Sequence, residues 1–273
     1  MSDDSENKGR ELLNRAVASA MARFGAGVYP IYAFPETEPV FIGSCFAIEH
    51  RGRRFLLTAA HVMDNHHHAQ LAVGDSTAMY SIGGFVFSVN PVGGDRDEDP
   101  FDFAWHELSS DEAQHLKIIS SADLDLSESP PTGKAAYTAT GYPLSKNKKI
   151  SPAERKKRKL ASMRVQYTDF RLDAPALFAR RGMTPETHIA IQRGQRALDE
   201  SGHEDNTIGH KGLSGGPLVD VGLKAPYGES GPQRVVGILI ENDDEETLIL
   251  AVRLWVVLRE IDKVIAAETS GGS

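Results

Sequence analysis

The 273-residue chain contains one cysteine, Cys45, so no internal disulfide framework can form and the fold must be held by its core. No apolar run approaches the roughly 18 residues that a membrane-spanning helix needs. The opening stretch MSDDSENKGRELLNRAVASAMARF is acidic at its start and lacks the apolar centre of a secretory signal. Together these absences set the expectation of a soluble, cytoplasmic protein without membrane association. A basic surplus is missing too, and the net charge of −8 opposes general affinity for nucleic acid. Metal-ligand patterns are also lacking. His66, His67 and His68 are consecutive and so point in different directions, and His106-Glu107 continues as HELSS rather than as a zinc-peptidase motif. Neither metal nor cofactor is expected. A content of 40% hydrophobic and 25% charged residues excludes a mainly disordered chain.

What is present reads as mostly β. Leu12, Leu13, Ala16, Val17, Ala20, Met21 and Phe24 recur at helical spacing, predicting an amphipathic helix over about residues 9–24, ended by GAG and packed on the body or on a partner. Short β-type runs follow: VYPIYAF, PVFIGSCFAIEH, RRFLLTAA, QLAVG, AMYSIGGFVFSVN and DFAWHEL, punctuated by turns such as Arg51-Gly52. A second set comprises KAAYTATGYP, MRVQYTDFRLDA, HIAIQR, GPLVDVG, QRVVGILIEN and TLILAVRL. This density of strands favours an all-β sandwich or barrel pair. Leu254, Val257, Leu258, Ile261 and Ile265 predict a closing helix, with a frayed TSGGS end. The segment 146–164, KNKKISPAERKKRKLASMR, is strongly basic inside an acidic protein, and reads as a long solvated loop or as a docking or activation loop for an acidic partner or nucleic acid.

The chemistry concentrates in GHKGLSGGPLVD, residues 209–220. Gly-x-Ser-Gly-Gly-Pro at 212–217 is compatible with a tight turn before a strand. It is equally compatible with a nucleophile, Ser214, whose flanking glycines free the backbone N–H groups of Gly212 and Ser214 to converge on an oxyanion. A serine hydroxyl needs a base, and the base needs an orienting partner. FLLTAAHVMD supplies His61 behind the slim shoulder of Ala59 and Ala60, and EDPFDFAWHEL supplies Asp102 at the start of an apolar strand. Asp95, Asp97 and Asp99 read as solvated loop charge, Asp64 as too near His61 in sequence to fold back onto it, and Cys45 as plain core.

With LLTAAHV, DFA and GLSGGP in the order His, Asp, Ser, the chain resembles the chymotrypsin/trypsin-like serine peptidases over roughly residues 28–266, TATGYP and the C-terminal helix included. The resemblance implies two six-stranded antiparallel β-barrels with a helix at each end. It divides the chain into an N-terminal helical extension over 1–27, a peptidase domain over 28–266 with its barrel boundary near 110–135, and a flexible tail over 267–273. It implies His61 as general base and acid, Asp102 as its orienting partner, Ser214 as acyl-forming nucleophile, and the N–H groups of Gly212 and Ser214 as oxyanion hole. The implied reaction is hydrolysis of a protein or peptide substrate through an acyl-enzyme. A catalytically silent binding module on the same fold is the alternative.

Two departures qualify that likeness. Leu213 stands where secreted members carry an aspartate that pairs with a new N-terminus, and no IVGG-like start exists. The resemblance therefore moves toward bacterial intracellular or periplasmic members without disulfides, whose site is either preformed or latent until an activating protein docks through the N-terminal helix or the 146–164 loop. Ile208 occupies the implied base of the specificity pocket and favours an apolar or small side chain. Ile240, Glu241 and Asn242 should lie along the cleft beside the substrate backbone. Glu241, Asp243, Asp244, Glu245 and Glu246 pull the other way, toward basic peptides.

Overall fold

A computed structural model describes residues 3–35, 38–74, 78–83, 86–88, 91, 94–96, 99–147, 163–192, 196–199, 204–206, 211–226, 228–229, 231–243 and 247–271. Its architecture is mostly β, with a long helix at each end. Helix α1 (Asp3–Phe24) begins earlier than the apolar spacing predicts, and the GAG that follows it turns as a short 3-10 segment. Val17, Ala20 and Phe24 are buried. Their helix lies against the second sheet, where Gln233 Nε2 donates to the Ala16 carbonyl at 2.9 Å. The apolar face of α1 is thus packed on the body.

The first sheet contains β1 (Val28–Phe34), β2 (Val40–His50), β3 (Arg53–Thr58), β4 (Gln70–Gly74), β5 (Met79–Ser81), β6 (Val86–Ser88) and β7 (Ala104–Glu107). Its order is β5-β4-β1-β2-β3-β7-β6, seven antiparallel strands whose ends are not joined among the described residues. This half-barrel differs from the expected six-stranded closed barrel for a local reason. The run at 78–90, read as one β segment, breaks after Ile82, and its two short pieces pair at opposite ends of the sheet, β5 on β4 and β6 on β7. Arg51 and Gly52, at φ of 50° and 75°, form the two-residue turn that sets the register of β2 on β3.

The second sheet contains β8 (Ala135–Gly141), β9 (Val165–Leu172), β10 (His188–Gln192), β11 (Arg196–Asp199), β12 (Glu204–Asn206), β13 (Pro217–Lys224), β14 (Gly228–Glu229), β15 (Arg234–Asp243) and β16 (Leu248–Arg253). The order β10-β16-β15-β13-β8-β9 is closed by a β9–β10 pairing into a six-stranded barrel, with β11 and β12 extending from β9 and β14 from β13. Strand β16 lies between β10 and β15, and every one of its residues is buried, Arg253 included.

Shorter helices complete the chain: α2 (Ala60–Met63), α3 (Ser110–Ala113), α4 (Leu144–Asn147) and α5 (Pro175–Arg180), before the closing α6 (Leu254–Gly271). Helix α6 continues through residues 267–271, which the sequence reading leaves as a tail, and Ser270 Oγ donates to the Ala266 carbonyl at 2.8 Å. It also straps the two sheets together. Asp262 accepts from Arg51 Nη2 at 2.8 Å and faces His50 Nε2 at 2.8 Å, so a helix leaving the second sheet is anchored on the first. Inside, Arg253 is only 2% exposed and its guanidinium donates to the carbonyls of Ser127, Glu128, Ser129 and Glu186, fixing the segment that connects the sheets. No helix is long and apolar enough to cross a membrane among the described residues.

Candidate active site

The three residues singled out by the motifs come from both sheets. Strand β3 ends at Thr58, and the buried Ala59 and Ala60 turn the chain into α2, which carries His61. Because both shoulder residues are small, the turn closes on the loop before β7, where the Asp102 carbonyl accepts the Ala60 N–H at 3.3 Å. The Asp102 side chain then meets His61 twice. Its Oδ1 accepts the His61 backbone N–H at 2.8 Å, and its Oδ2 lies 2.5 Å from Nδ1. Asp102 is buried, while the imidazole is 42% exposed on its other side. Burial pulls the His61 pKa down, but the hydrogen bond and charge of Asp102 outweigh it, and the group sits above its ordinary value.

Ser214 lies in the turn entering β13, half-buried, with its carbonyl accepting the Ser44 N–H of β2 at 3.0 Å. Thr58 Oγ1 donates to the Ser44 carbonyl at 2.7 Å, so the serine turn is laid against the end of the strand that leads to His61. Gly212 has φ of 99°, and a side chain there would meet the Tyr142 carbonyl at 2.6 Å and Leu144 N at 2.8 Å. Only glycine suits both the conformation and the space. Leu213 is 1% exposed, in an apolar cluster with Ala139, Leu218 and Leu239.

Of the residues expected beside the substrate, Ile208 lies outside the described residues. Ile240 is buried, so what it offers a cleft is backbone and not side chain. Glu241 and Asn242 pair with Leu250 and Ile249 of β16. On the other side of β15 the register with β13 ends at Ile238 and the bonding ends at Leu239, whose N–H and carbonyl meet Gly216 O and Gly215 N–H at 2.8 and 2.6 Å. Most of the basic segment, residues 148–162, is likewise outside the described residues. Cys45 is fully buried on β2, and burial raises its thiol pKa. His106 is buried against Glu112 at 3.2 Å, and no metal-holding group is found among the described residues.

Two supports of Asp102 escape a sequence reading. Asp99 is not solvated loop charge: it is 5% exposed, accepts from Arg96 Nη1 at 2.7 Å and takes the Phe101 N–H at 3.0 Å. Arg96 Nε also donates to Asp64 at 3.0 Å, so Asp64, passed over as a partner of His61, helps brace the loop that carries Asp102. From the second sheet, His188 Nε2–H donates to the Pro100 carbonyl at 2.6 Å, and its Nδ1 accepts from Thr187 Oγ1 at 2.8 Å. A cavity of about 480 Å³, lined by Leu172, Pro175, Phe178, Met183 and Ile189, includes none of His61, Asp102 and Ser214.

Burial pushes the His188 pKa down to about 4, the Pro100 bond offsetting only part of the loss. The fold therefore holds the neutral ring, whereas an unfolded chain takes up the proton near pH 6.5. The stability this contributes is full above about pH 6.5 and falls as pH drops toward 4, by about 3 kcal/mol across that window. In urea unfolding at a series of pH values, His188→Gln, which keeps a donor toward Pro100, is expected to flatten this acid dependence. Parallel slopes for variant and wild type would count against His188 as the sensor.

No family model matches the chain, and no curated protein matches it. Solved structures do. The serine endoprotease from Yersinia pestis is similar with a TM-score of 0.54 and 15% identity, over 90% of this chain and 65% of that one, so this chain spans just under two thirds of that protein's length. The serine protease domain of the Sesbania mosaic virus polyprotein is similar at 16% identity and a TM-score of 0.47, over 86% of this chain and 93% of that one. An inactive form of Rv3671c from M. tuberculosis matches at 16% identity and a TM-score of 0.45, over 90% of each chain. At such identities the likeness shows architecture, and the architecture it shows is that of the chymotrypsin-like serine proteases.

Proposed function

We propose that this protein is a serine endopeptidase acting in the cytoplasm, with residues 28–266 as its peptidase unit. The observation that supports it most is the paired contact of His61 with Asp102, through Nδ1 and through the backbone N–H, together with a serine turn bonded to the first sheet through Ser44. In this reading His61 Nε2 takes the proton of Ser214 Oγ as that oxygen attacks the substrate carbonyl. Charge moves onto the carbonyl oxygen, where the N–H groups of Gly212 and Ser214 receive it. The imidazolium, stabilised by Asp102, returns the proton to the departing amine, leaving an acyl-enzyme. Water then repeats the sequence, giving its proton to His61 and releasing the acid. The edge of β15 beyond Leu239 would pair with the substrate backbone.

A fluorophosphonate probe tests the reading without knowledge of the substrate, because it phosphonylates only an activated serine. Wild type is expected to label, and Ser214→Ala to lose the label completely. A chain that remains unlabelled, or that labels equally after the substitution, would leave the fold without the activity.

A further inference from the structure

The carbonyl groups of the nucleophile turn are all engaged. Lys211 O accepts from the Leu144 N–H at 2.5 Å, Leu213 O from the Gly216 N–H at 2.9 Å, and Ser214 O from the Ser44 N–H at 3.0 Å. The fourth, Gly212 O, accepts from the Ser44 hydroxyl at 2.7 Å. That same hydroxyl oxygen accepts the Tyr142 N–H at 2.8 Å, and Ser44 is fully buried. In a planar trans peptide the C=O and the following N–H point in opposite directions. Fixing the carbonyls of Lys211 and Leu213 therefore fixes where the N–H groups of Gly212 and Ser214 point. It also keeps the Lys211 carbonyl turned toward Leu144 and out of the space an oxyanion would take.

We propose that Ser44 is a positioning residue for the oxyanion hole, a role resting on the peptidase reading above. Its hydroxyl holds Gly212 on one side and the 142–144 segment on the other, and so keeps both partners of the Leu144–Lys211 bond in place. Ser44 belongs to the first sheet and the turn to the second, so the frame also ties the hole to the sheet that carries His61. Leu213, buried among apolar side chains, anchors the turn from below. Neutral bonds and burial thus do here what a carboxylate paired with a new N-terminus does in the secreted enzymes the sequence resembles.

Ser44→Ala removes the bridge without adding bulk. It is expected to slow fluorophosphonate labelling and lower kcat by about 10- to 100-fold, less than the 10²–10³ of deleting an oxyanion donor outright, because the donors stay but loosen. KM for a peptide substrate should change little, while the Kd of a peptidyl boronate, which forms a tetrahedral adduct, should weaken in step with kcat/KM. Ser44→Cys, with a weak thiol donor of similar size, should fall between the two, and it carries the comparison if the alanine variant does not melt cooperatively. Unchanged labelling and boronate affinity in a folded variant, or a loss confined to KM, would overturn the role of Ser44. Wild type that never labels would instead remove the peptidase reading on which it rests.

Discussion

Asp102→Asn is expected to lower kcat by about four orders of magnitude while leaving the thermal melt nearly unchanged. Both carboxylate oxygens already have fixed partners, Oδ1 the backbone N–H of His61 and Oδ2 its Nδ1. An amide can match only one of them as an acceptor. Setting its NH2 against the backbone N–H would oppose two donors, so the NH2 must face Nδ1. That contact makes Nδ1 an acceptor and moves the ring proton to Nε2, the atom that has to receive the proton of Ser214. The variant holds the base in place in the wrong tautomer.

The same substitution should move the pH profile. The proposed mechanism needs the neutral imidazole, so kcat/KM of the wild type is expected to rise with pH through the His61 pKa, which Asp102 holds above the ordinary value. Without the carboxylate, the hydrogen bond and charge that raise it are gone and the lowering effect of burial remains. The acid limb should therefore shift to lower pH even as the rate falls. Rate profiles on a peptide ester over pH 5–9 check both effects at once. A loss under tenfold, or an acid limb that stays in place, would mean that Asp102 does not orient the base.

How much of this was legible in the sequence depends on the range of the interaction. Strands β1, β4 and β10 match their apolar runs closely, because alternating or continuous apolar stretches bounded by turn residues are local signals. The His61–Asp102 contact was legible as two short motifs, each at one end of an apolar run. Helix α5 was not, although Pro175 at its first turn is a start signal, since PALFAR is too short to show a period. The open first sheet was missed because periodicity does not say which end a three-residue strand pairs with. Ser44 and His188 were invisible for a stronger reason. Ser44 meets Gly212 across 168 positions and His188 meets Pro100 across 88, and a lone serine or histidine on an apolar strand carries no mark of such a partner. Asp99 was misread because an acid in a polar loop usually faces water, and only the fold brings Arg96 over it.

Gly215→Ala should abolish probe labelling and cost several kcal/mol of stability. Gly215 has φ of 86°, a conformation costing an L-residue about 1–2 kcal/mol. The larger penalty is spatial. A methyl group there would press into the Ser44 carbonyl oxygen and Thr58 Oγ1 and lie 2.9 Å from Ala59 N. Two of those three atoms are backbone, and the third is held by its own bond to Ser44, so no side chain can rotate away. The Gly215 N–H is meanwhile tied to the Leu239 carbonyl at 2.6 Å, which holds the turn in place from the second sheet. Relief then comes only by separating the serine turn from the ends of β2 and β3, where Ser44, Thr58 and Ala59 lie against it. The measurement is labelling alongside a urea melt, with Gly228→Ala as a control, where an added methyl meets nothing within 4 Å. If Gly215→Ala labels at the wild-type rate, the serine turn is not held against the end of β3, and the shared frame around Ser44 fails with it.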